Sequence, residues 1–103
     1  MRVEDARDYV QLRDGSSYVG TVTQSGFKIE VGFSTQPITI STARILRVVL
    51  SRRGEGLDEI NLHDGSSVKG KVLDADVAFR SEELGELSIP TERILAIQLL
   101  RNL

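Results

Sequence analysis

The chain has 103 residues, 40% of them hydrophobic and 27% charged, with a formal net charge of −2. That size fits one small domain or two very small subdomains sharing a core, and the balance excludes both a disordered chain and the strongly basic field of a nonspecific nucleic-acid binder. There is no cysteine, which excludes disulfides, thiolate metal sites and cysteine nucleophiles, and no apolar run reaches the roughly 20 residues that span a bilayer.

Residues 1–8 are polar and alternate in charge, too charged for a secretion signal. This predicts a cytoplasmic protein without membrane insertion, or a periplasmic one if a signal was removed. Tyr9 to Leu12 alternates and reads as a strand. Asp14-Gly15 is a hairpin turn pair, because Gly accepts positive φ and Asp can bond its own backbone. A second strand follows over Ser17–Thr23, and Gly20 within it predicts a bulge or sharp bend. Phe27, Ile29 and Val31 alternate with Lys28 and Glu30, giving a third strand with one buried face. A polar loop carrying Phe33 leads to a short strand at Ile38–Ile40. Ser41 to Arg44 reads as one helical turn. Ile45–Leu50 is apolar and β-branched and reads as a fifth strand, against a competing helix over 42–53.

The charged connector around Gly54-Glu55-Gly56 is short and keeps what it joins adjacent. Beyond it the same order returns, with strands expected at Asp58–Leu62, Ser67–Leu73, Val77–Ser81, Gly85–Ile89 and Ile94–Leu100. Leu12-Arg13-Asp14-Gly15-Ser16-Ser17 recurs as Leu62-His63-Asp64-Gly65-Ser66-Ser67. Gly20 matches Gly70, Asp8 matches Asp58, and Thr42, Arg44 and Leu50 match Thr91, Arg93 and Leu99. These matches predict a duplicated five-stranded unit, residues 1–52 and 53–103. With aromatics at only 5%, its core must be mainly Val, Ile and Leu.

Five short strands, a mid-strand glycine and a helical turn before the last strand resemble a small SH3-like barrel of the Sm-like variety. The resemblance implies an all-β protein of two tandem five-stranded SH3/Sm-like barrels packed as a pseudo-symmetric pair. It also implies two partner classes, other copies of the chain through edge-strand pairing, and RNA. Sm-like RNA loops carry an Asn after the second strand and a Gly following Arg before the last. Gln24-Ser25-Gly26 and Asp74-Ala75-Asp76 have no such Asn, and Ile45 and Ile94 follow Arg44 and Arg93.

Few residues suggest chemistry. His63 is the only histidine and lacks a positioned nucleophile in its neighbourhood, since Asp64 and Ser66 repeat Asp14 and Ser16 as turn residues. Glu82, Glu83 and Glu86 with Asp74 and Asp76 lack the ligand spacing of a calcium loop and read as solvated loops. Asp-Gly-Ser-Ser has one Gly, no Lys and no helix after it, unlike a phosphate loop. No catalytic, cofactor or metal residue is therefore expected. Arg44, Arg52, Arg53 and Arg93 are the candidate nucleic-acid contacts. Tyr18 and Phe33, aromatic in the first repeat only, are candidate interface residues. The sequence favours a non-enzymatic interaction or assembly module, self-associating or binding another protein through edge strands. The alternatives are an Sm-like RNA binder and, last, a small hydrolase or ligand-binding protein.

Overall fold

The computed structural model describes residues 7–52 and 56–102; Arg53, one of the candidate contacts, lies outside them. The described chain is all-β. Strands β1 (Asp8–Leu12), β2 (Ser17–Val22), β3 (Gly26–Glu30), β4 (Ile38–Ser41) and β5 (Ile45–Val49) come from the first repeat. Strands β6 (Asp58–Leu62), β7 (Ser67–Val72), β8 (Asp76–Ser81), β9 (Gly85–Pro90) and β10 (Ile94–Leu99) come from the second. One-turn 3-10 helices at Thr42–Arg44 and Thr91–Arg93 precede β5 and β10, and a third, Leu100–Asn102, follows β10. Residues 45–49 are a strand and not a helix, as their β-branched run implies.

Both Asp-Gly-Ser-Ser segments form the same turn. Gly15 donates its N–H to the Leu12 carbonyl at 3.2 Å, and Leu12 donates to Ser16 at 2.8 Å. Gly15 and Gly65 both take φ of 95°, while no residue other than glycine has positive φ among the described residues. The turn is thus a three-residue loop with glycine in the left-handed position. Asp14 and Asp64 each accept the N–H two residues on, from Ser16 and Ser66, at 2.8 Å.

The strands form one ten-stranded antiparallel sheet, in the order β4-β3-β7-β6-β5-β10-β1-β2-β8-β9, curled into a half-barrel. The boundary between the sequence repeats is not a boundary in this sheet. In the first repeat β2 pairs with β8, not with β3; in the second, β7 pairs with β3, not with β8. Homologous strands β5 and β10 pair at the centre, with Ile97 opposite Val48. Each five-strand half, β5-β6-β7-β3-β4 or β10-β1-β2-β8-β9, therefore combines strands of both repeats. A single core cluster runs through both, from Val10, Val48, Ile60 and Ile97 to Phe27 and Phe79. The large rings swap places between repeats, Phe27 and Ile29 in β3 facing the same register as Val77 and Phe79 in β8, a volume-conserving exchange.

The exchange rests on the mid-strand glycines. A Cβ on Gly20 would stand 2.0 Å from the Arg80 carbonyl oxygen, and one on Gly70 would stand 2.1 Å from that of Glu30. Only hydrogen fits where β2 crosses β8 and β7 crosses β3. Polar side chains then fasten each crossing. Asp8, fully buried, accepts the Val22 N–H at 2.8 Å, and Asp58 accepts the Val72 N–H at 2.8 Å. Gln24 Oε1 accepts the Ala78 N–H at 2.9 Å, and its repeat partner Asp74 accepts the Lys28 N–H at 2.8 Å. The Gln24 amide in turn donates to Asp74 at 3.3 Å, so the two meet where the repeats are related.

Gly20→Ala and Gly70→Ala should each cost about 3 kcal/mol or more, because the added carbon meets backbone that cannot step aside. Gly32→Ala, where nothing lies within 4 Å, should change stability by only about 0.5 kcal/mol. Urea denaturation of the three variants checks this; a Gly20→Ala protein as stable as the parent would contradict the crossing.

Candidate functional site

Three of the arginines, Arg13, Arg52 and Arg93, come together beside the 3-10 turn of the second repeat. The first hairpin loop docks on the 3-10 turn of the second repeat, where Arg13 donates its N–H to the Arg93 carbonyl at 3.0 Å. The Arg13 guanidinium reaches across the gap between strands, giving Nη2 to the Leu50 carbonyl at 2.6 Å and Nε to the Glu92 carbonyl at 3.2 Å. Ser51 is fixed beside it by the Asp58 carboxylate at 2.9 Å and, through its own hydroxyl, by the Leu57 carbonyl at 2.8 Å. These contacts frame a surface cleft of about 470 Å³ that brings together Arg13, Arg52 and Arg93 with Asp14 and Glu92.

Of the candidate contacts, Arg52 and Arg93 share this cleft. Arg44 does not; it occupies the repeat-related position, where its carbonyl accepts the His63 N–H at 3.0 Å. There Asn102 Nδ2 donates to the carbonyls of Thr42 at 2.9 Å and Ile45 at 2.6 Å. The side chains of Arg44, Arg52 and Arg93 make no hydrogen bond or ion pair among the described residues. The ion pairs shown there are Arg7–Glu82 at 2.6 Å and Arg80–Glu86 at 2.9 Å, on and beside the β8–β9 hairpin.

The acidic residues separate. Glu82, Glu83 and Glu86 lie on that hairpin, whereas Asp74 and Asp76 flank the β7–β8 connection. Asp74 and Asp76 border a second cleft of about 620 Å³ with Asp58 and Glu92. Among the described residues no group of three or more His, Asp or Glu is arranged to hold a metal ion. His63 is exposed at a turn, and its ring makes no hydrogen bond among the described residues.

The two candidate interface aromatics differ. Tyr18 is half-buried and packs against the core. Phe33, in the β3–β4 loop, is 87% exposed, and Leu84 at the matching tip of the β8–β9 hairpin is 60% exposed. Sequence reading passed over Arg13 and Glu92. Their signal was repeat disagreement: His63 stands where Arg13 does, and Ala43 where Glu92 does.

No family model matches this chain, and no curated protein or solved structure matches it.

The turn aspartates give a pH prediction. The Ser16 backbone N–H, then its hydroxyl, hold the Asp14 carboxyl below the ordinary aspartate range, and Ser66 does the same for Asp64. A depressed folded-state value means stabilisation that is present above the ordinary aspartate pKa and lost as pH falls through the folded one. Carboxyl NMR titration should show both groups titrating below free aspartate, and Ser16→Gly should move Asp14 upward; an Asp14 that titrates like free aspartate contradicts the turn geometry.

Proposed function

We propose that the chain is a non-enzymatic cytoplasmic assembly module that self-associates through the edges of its sheet, each five-strand half being a small SH3/Sm-like barrel with exchanged strands. The observation that carries this reading is the pair of outer strands, β4 and β9, at which the ladder ends. Lys28 turns its N–H and carbonyl toward Asp74 and Leu73 on the β7 side. Alternation along the antiparallel pair then leaves the backbone groups of Thr39 and Ser41 on the open side of β4. Ala78 likewise faces Gln24 and Thr23, which leaves Glu86 and Ser88 on the open side of β9. Such unpaired groups are templates for another strand. Phe33 and Leu84, at the tips of the two edge hairpins, supply apolar anchors next to them.

Light scattering over a concentration series should give a mass that is a multiple of 11.4 kDa. Thr39→Pro and Ser88→Pro remove an N–H from the open side while leaving the internal ladder intact, and at least one should weaken association by about tenfold or more. A strict 11.4 kDa monomer at the highest attainable concentration would overturn the proposal.

A further inference from the structure

We infer that the cleft holding Arg13, Arg52 and Arg93 is a binding site for a small phosphate ester whose body carries hydroxyl groups, such as a sugar phosphate or a mononucleotide. The cleft breaks the internal symmetry. At its repeat-related position Asn102 closes onto the carbonyls of Thr42 and Ile45, and His63 replaces Arg13. Here three arginines line one opening. The guanidinium groups of Arg52 and Arg93 make no hydrogen bond or ion pair among the described residues. Arg13 is held from behind by the Leu50 and Glu92 carbonyls, which fixes its orientation and leaves Nη1 unspent.

Ligand chemistry follows from donor count and charge. One guanidinium fork saturates the two oxygens of a carboxylate, whereas the forks of Arg52 and Arg93 together with the remaining Nη1 of Arg13 match the three terminal oxygens of a phosphate monoester. Asp14 and Glu92 border the same opening and would repel a bare anion. They are suited to accept hydrogen bonds from hydroxyls on the body of the ligand. A volume of about 470 Å³ has room for both parts. This site is separate from the sheet edges, so it stands or falls independently of self-association.

Calorimetric titration of the full chain at low ionic strength tests it, with inorganic phosphate, a ribonucleoside monophosphate and acetate as probes. The monophosphate should bind more tightly than inorganic phosphate, and acetate least. Arg52→Gln/Arg93→Gln should weaken monophosphate binding at least tenfold, with the fold checked by circular dichroism. Arg44→Gln, which changes the exposed arginine at the repeat-related position outside the cleft, should leave binding unchanged. Equal weakening by Arg44→Gln would reduce the effect to net charge and overturn the site, as would acetate binding as tightly as the monophosphate. Absence of monophosphate binding, or binding only by an RNA oligomer, would overturn it as well.

Discussion

The close crossing of β2 over β8, and of β7 over β3, is the contact on which the rest of the structure depends. At each crossing a carbonyl oxygen occupies the space a side chain would need, about 2 Å from where the Cβ of Gly20 or Gly70 would stand. Once these strands meet, neither repeat can complete a sheet from its own strands. The β3–β4 hairpin must add to β7, and β8–β9 to β2, so the core is shared. This resolves a difficulty set by size. A unit of about fifty residues buries little surface alone, whereas two interleaved units bury one common core.

The individual elements were legible in the sequence because local rules govern them. All ten strands lie where alternation and β-branching put them, and both Asp-Gly loops turn where Asp and Gly require. Strand pairing was not legible. Gly20 announced a bulge or sharp bend, and nothing local says that backbone approaches it, or whether that backbone is Glu30 of the same repeat or Arg80 of the other. Duplicated sequence makes those partners nearly equivalent, and long-range geometry decides between them. The polar fasteners show the same limit. Asp8 and Asp58 are matched in sequence, yet their bonds to Val22 and Val72 emerge only once the strands are bent. For the candidate site, Arg52 and Arg93 were foreseen, while Arg13 was seen only as the counterpart of His63. Their convergence needs the first hairpin loop to dock on the second repeat's 3-10 turn.

Symmetry organises this molecule, and its departures localise chemistry. Gln24 meets Asp74, Phe27 stands where the second repeat has Val77, and Asn102 bonds the 3-10 turn of the first repeat while three arginines border a cleft at that of the second. The glycines of the crossings and the turn residues recur in both repeats, whereas Arg13 of the cleft is replaced by His63 and Glu92 by Ala43. Exposed charged side chains contribute little to stability, which is the ground for proposing the arginine cleft as a ligand site and not as part of the fold.

The exchanged pairing is tested most directly by engineered cross-links in this cysteine-free chain. Thr21 lies opposite Arg80, and cross-strand neighbours are within disulfide reach. Thr21→Cys/Arg80→Cys should form an intramolecular disulfide on mild oxidation, and Glu30→Cys/Lys71→Cys should do the same across β3 and β7. Thr21→Cys/Glu30→Cys, the pair that would meet if each repeat closed on itself, should stay reduced. A disulfide in that last variant, with none in the first two, would contradict the account.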